Sequence, residues 1–122
     1  MECSTVYCDV DEFCTLLEEK QIVSRKQHRC GECEITIDTG EKYNLEVTIF
    51  DGKFSRHKTC LDCLSVRDIF FKSGFSYGEI KWMLREHIND FMGDISENCI
   101  KSLTIGARAM VCDMIEDRWK DM

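Results

Sequence analysis

The chain has 122 residues, 43% apolar and 32% charged, with 16 Lys and Arg against 23 Asp and Glu for a formal charge of −7. That balance excludes a collagen-like or largely disordered chain and suits one domain with a modest core, to which a metal site would add much. No apolar run approaches the roughly 18 residues a bilayer span needs, and the first ten residues carry neither a basic nor an apolar signal region, so a soluble, unsecreted, cytoplasmic protein is expected.

Residues 1–19 hold six acids and no base, whereas residues 20–59 hold eight bases against six acids and form the one basic stretch. The acidic start, with Asp9, Asp11 and Glu12, reads either as a solvated face or as a negative surface aimed at a basic partner. Asp11 suits the N-cap of a short helix over 12–20, while 21–24 favours extended structure.

From Tyr43 to Phe50 the residues alternate. Tyr43, Leu45, Val47 and Ile49 fall on one side and Asn44, Glu46 and Thr48 on the other, which predicts a strand with its apolar face buried. Asp51-Gly52 follows at once, and this dipeptide favours the positive φ angles of a type I′ turn, so 53–59 should return as the second strand of a hairpin.

Beyond Cys63 the pattern turns helical. Leu64, Ile69 and Phe70 fit a first helix stopping near Gly74 as its left-handed C′ residue. Ser76 to Glu79 has capping-box spacing ahead of a stripe of Ile80, Met83, Leu84, His87, Ile88 and Phe91. Asp94 to Glu97 has the same spacing before a short third helix. Thr104 suits the N-cap of a fourth, with Ala107, Val111, Met114, Ile115 and Trp119 along one side.

Cys30-Gly31-Glu32-Cys33 and Cys60-Leu61-Asp62-Cys63 are two C-x-x-C pairs separated by 26 residues, with the hairpin between them. Each tight turn presents two sulfurs to one point, and four thiolates close a tetrahedral Zn(II) site with Zn–S near ~2.3 Å. The second pair opens a helix, whose N-terminus stabilises thiolate charge. Knuckle, hairpin and helix in that order predict a treble-clef finger. A closed four-cysteine site leaves no coordination position for substrate, so its role should be structural. A redox dithiol needs a C-x-x-C after a strand in a βαβ unit, which is missing here. The odd total of nine cysteines argues for reduced thiols rather than a disulfide framework. Cys3, Cys8 and Cys14, with Cys99, Cys112 or a His, offer a second metal site, but they lack paired spacing and read as small buried residues. His28 and His57 flank the two pairs and read as surface or supporting residues. His87, on the apolar stripe, reads as a core histidine.

Arg25, Lys26, Arg29, Lys53, Arg56 and Lys58 are the candidates for contacting nucleic acid, with His28 and His57 among them. Against that, four thiolates and one Zn(II) take the whole protein to roughly −9, so the bases serve equally to compensate the site's own charge. Phe50 and Phe54 could stack on bases or pack on a helix. A ββα-metal nuclease would need a His on the hairpin and a second ligand on the helix. His57 could supply the first, but Leu64, Ser65 and Val66 do not supply the second, so no enzyme and no small-molecule substrate are expected.

The segments 25–33, 37–43 with Gly40-Glu41-Lys42-Tyr43, Asp51-Gly52-Lys53-Phe54 and Lys58-Thr59-Cys60-Leu61-Asp62-Cys63 resemble a pattern in small phage- and prophage-encoded proteins of uncharacterised function, over roughly residues 24–68. The resemblance implies a zinc-binding phage accessory protein in a bacterial host cell, with Cys30, Cys33, Cys60 and Cys63 as ligands. A weaker likeness, in the first pair, 37–40 and the 50–53 turn, is to the fingers of poly(ADP-ribose) polymerase type, which have a His where Cys60 stands and are basic. The expectation is therefore a single α+β domain. It comprises an acidic segment 1–23, a treble-clef-like four-cysteine finger over 24–73 and a helical unit over 74–122. Its expected work is to bind and modulate a host protein or protein–nucleic-acid complex, such as a defence system, with direct nucleic-acid binding as the alternative.

Overall fold

The computed structural model describes residues 15–120. Five strands precede four helices: β1 (Thr15–Val23), β2 (His28–Arg29), β3 (Thr36–Ile37), β4 (Lys42–Phe50), β5 (Lys53–Cys60), α1 (Leu61–Phe70), α2 (Ile80–Asp90), α3 (Glu97–Lys101) and α4 (Ile105–Lys120). The class is α+β.

An antiparallel sheet of order β1-β4-β5 carries the hairpin, and β2 pairs with β3 in a small separate ladder. Asp51 and Gly52 have φ of 50° and 74°, as the type I′ turn requires, and Phe50 faces Lys53 across it. Residues 15–20 are extended rather than helical, because β1 finds its backbone partners along β4, from Thr15 opposite Ile49 to Val23 opposite Lys42. The Asp11 cap expected for a helix lies outside the described residues.

Alternation along β4 is as expected, but the buried side is the opposite one. Asn44, Glu46 and Thr48 are buried, while Leu45, Val47 and Ile49 are half-exposed; of the apolar row only Tyr43 is buried. The reason lies in what covers the sheet. Arg67 of α1, and Tyr77 of the segment that follows, bond Glu46 on the Asn44–Thr48 side, which is therefore the inner face. A buried polar row is tolerated when its members satisfy one another. Asn44 donates to Glu46 (2.8 Å) and to Glu19 (3.1 Å), and Thr48 bonds the His57 ring (3.0 Å).

The helices enclose an apolar core of Val66, Phe70, Leu84, Ile88, Val111 and their neighbours. A second, smaller cluster joins Cys30, Ile37, Tyr43 and Cys63, and Met110 of α4 packs against both. Boundaries differ from expectation at three points. Helix α1 ends at Phe70, where the Phe71 amide returns to Arg67, and Gly74 sits in a turn without positive φ. Ser96, not Asp94, precedes α3. Phe91 falls just past the end of α2 and is exposed, since the chain leaves the helix before that side chain can join the stripe. Trp119 is also exposed; its indole N–H donates to the Met92 carbonyl (3.1 Å) and its ring lies against Gly93, where any Cβ would come within 2.6 Å.

Candidate metal centre

The first C-x-x-C pair sits on the turn between β2 and β3. The Cys30 amide bonds the Ile35 carbonyl (2.9 Å), the Glu34 amide bonds the Cys30 carbonyl (3.0 Å), and Glu34 adopts φ 64° to close the turn. A bond from the Gly31 amide to the Lys58 carbonyl (2.8 Å) fastens this turn to β5. The second pair straddles the β5–α1 junction, where Cys60 is the N-cap of α1 and its sulfur accepts from the Cys63 amide. Four sulfurs thereby converge within 4.8 Å of one another.

The Cys33 and Cys60 sulfurs are 3.7 Å apart. That is far too long for a disulfide, and close to the edge of about 3.8 Å that a tetrahedron with ~2.3 Å metal–sulfur bonds would have. All four are free thiols, Cys30 and Cys63 buried and Cys33 and Cys60 half-buried. Among the described residues this is the one group of His, Cys, Asp or Glu side chains placed to hold a metal ion. The donor set is soft, closed and complete, and it fits a tetrahedral cation of thiophilic character.

Electrostatics sharpen the fit. Hydrogen bonds from the Cys60 and Cys63 thiols, aided by the Cys60 amide, hold the Cys30 thiol far below its ordinary range. The Glu32 amide also donates to its sulfur (3.4 Å). Cys60 is pushed up to about 12 by its bond to Cys30, and Cys63 is raised further by Cys30 and Cys60. One negative charge among crowded sulfurs opposes the next, and a central cation is what lets all four be thiolates together.

Each pair also carries an acid at its third position, and both acids reach into the helical unit. The Glu32 carboxylate accepts from the Gly78 amide (2.7 Å) and the Ile80 amide (2.9 Å), capping α2 from outside its own sequence. This replaces the local capping box expected at 76–79. Asp62 accepts from the Thr104 hydroxyl (2.8 Å), while that same hydroxyl accepts from the Ala107 amide (3.3 Å) as the N-cap of α4. A Cβ at Gly106 would overlap the Asp62 carboxylate, so glycine is what lets the acid approach the first turn. Negative charge at a helix N-terminus is favourable, and through these two latches the two cysteine-bearing turns position α2 and α4.

The bases separate into groups. Arg25, Lys26 and Arg56 line one groove on the outer sheet face with His28 and Lys20, while Arg29 lies in β2 and Lys53 at the hairpin turn. Lys58 donates to His28 Nδ1 (3.1 Å), and the His28 ring packs on Tyr43. Burial, then Lys58 and Lys26, lowers the His28 pKa. His57 turns to the inner face instead, stacked on Tyr77 at 3.6 Å between ring centroids. His87 is buried against Phe70, Phe71 and Phe91, as a core histidine should be. Cys112 is a half-buried free thiol, and Cys99 is a small buried residue, as expected. Asp9, Asp11, Glu12, Cys3, Cys8 and Cys14 lie outside the described residues.

One constellation joins residues that no sequence motif links. Buried Arg67 holds Glu46 and Glu19, the latter at 3.2 Å, and its guanidinium lies 4.4 Å above the Phe75 ring; Tyr77 donates to the second Glu46 oxygen. A signal existed. Arg67 stands between Val66 and Phe70, four residues after Cys63, on a helix side otherwise buried. None of the described helices is long and apolar enough to cross a membrane. No family model matches the chain, and neither a curated protein nor a solved structure gives a significant match to it.

Proposed function

We propose that Cys30, Cys33, Cys60 and Cys63 hold one structural Zn(II) in a treble-clef arrangement, and that the protein is a non-enzymatic binding module for a protein partner. The observation that carries this reading is the double use of the C-x-x-C turns: their sulfurs converge, and Glu32 and Asp62 anchor two helices. A closed thiolate set with its neighbouring acids engaged in the scaffold serves architecture rather than substrate. Knuckle, hairpin and helix follow in treble-clef order.

Catalysis gains no support from His57, whose ring is stacked on Tyr77 and bonded to Thr48. In the phage setting that the sequence resemblance implies, the partner is a host complex in the bacterial cytoplasm, with a defence system as the natural target. The convergence of Arg25, Lys26 and Arg56 favours a second reading, a nucleic-acid-binding regulator. Affinity capture from bacterial lysate by the tagged, zinc-loaded protein separates the two. One stoichiometric protein retained after nuclease treatment supports the module, and loss of all bound material on nuclease treatment overturns it.

A further inference from the structure

Resting on that reading, we propose that the groove on the outer sheet face binds an acidic, aliphatic-bearing stretch of a protein partner. The groove has a volume of about 1010 Å³, and Ile22, Leu45 and Val47 are among its apolar lining. Lys20, Arg25, Lys26 and Arg56 also line it, with Glu18 as the sole lining carboxylate, and Glu18 is already paired with Lys20 at 3.1 Å. Long basic side chains lay their stems along apolar surface and carry charge to the rim. The result is an apolar floor under a positive edge, on a chain whose formal charge is −7. An acidic ligand is repelled by most of that surface and drawn to this part of it.

Two properties favour a polypeptide over a nucleic acid. Base-stacking platforms need exposed rings, but the two rings in this groove pack on each other, with Tyr43 only 4% exposed and His28 half-buried. The exposed Phe54 stands opposite Ile49, beyond the lining residues. The floor residues Leu45 and Val47 are also spaced two apart on β4, a repeat that an extended peptide shares, so its alternate aliphatic side chains can meet them in register.

The test is fluorescence anisotropy of the full-length, zinc-loaded protein with three probes: a labelled peptide alternating Glu and Val, its Gln-for-Glu counterpart, and a single-stranded oligothymidine. The acidic peptide should bind best, and Arg25→Glu, Lys26→Glu and Arg56→Glu together should weaken it at least about tenfold. All three residues are exposed, so zinc content and melting temperature should stay at the wild-type values. Equal binding of the Gln peptide, an unchanged affinity in the triple variant, or tighter binding of the oligonucleotide would overturn the proposal. Repeating the lysate capture with the triple variant keeps the two readings apart. A partner still retained by that variant refutes the groove alone, and a wild type that retains no nuclease-resistant partner refutes the module.

Discussion

On the inner face of the three-stranded sheet the buried side chains are Asn44, Glu46, Thr48 and Thr59, whereas on the outer face Leu45, Val47 and Ile49 stay half-exposed. The two faces thus reverse the usual assignment of apolar side chains to the interior. Glu46, 2% exposed, is tolerable because Arg67, Asn44 and Tyr77 all donate to it. Burying a carboxylate costs several kcal/mol unless it is paired and hydrogen-bonded. The inner face therefore depends on α1 for its counter-charge. Helix α1 is in turn held at its first turn by Cys60 and Cys63, so the four-cysteine cluster and the polar interior form one mechanical unit.

The most severe way to break this contrast is Cys60→Ser. It removes a thiolate ligand and loosens the start of the helix that carries Arg67. We expect loss of bound metal by elemental analysis and a fall of more than about 10 °C in Tm. Arg67→Ala should cost roughly 3–5 kcal/mol in denaturant unfolding, because it strands the Glu46 carboxylate. Replacing Glu46 and Arg67 together with Leu should cost far less, since no buried charge is left unpaired. Glu32→Ala removes the cap of α2 and should cost about 0.5–2 kcal/mol with metal content unchanged. On the outer face, Leu45→Ser should change stability by about 1 kcal/mol or less, in line with partial exposure. A large loss there, comparable to Arg67→Ala, would erase the distinction between the faces.

A smaller effect concerns pH. Burial lowers the pKa of His57, against an opposing pull from Glu46, and likewise that of His87, against Asp90. With the folded value below the unfolded one near about 6.5, the unfolded chain takes up protons first. Stability from these groups is complete above about pH 6.5 and declines as pH falls toward the lower folded values. At saturating zinc, His87→Gln should flatten the pH dependence of the unfolding midpoint between about pH 7 and 5.

Much of this was readable from residue order. The Asp51-Gly52 turn, the two cysteine pairs and the stripes of α2 and α4 each rest on local spacing, and spacing survives folding. The side of β4 that is buried was not readable, because alternation fixes that the two faces differ while the covering element decides which one goes inside. Strand β1 escaped for a related reason. Its Glu18, Glu19 and Lys20 carry no β signal of their own, and pairing with β4 is what makes them a strand. The latches of Glu32 and Asp62 join residues 46 and 42 positions apart, beyond the reach of any local rule.

The central claim, that a four-thiolate metal centre holds this architecture together, is tested most directly by measuring zinc stoichiometry and thermal unfolding before and after exhaustive chelation. One zinc per chain is expected, with a Tm lower by more than about 10 °C once it is removed and restored on adding zinc back. A protein that purifies without metal, and whose melt is the same with chelator or with added zinc, would contradict it.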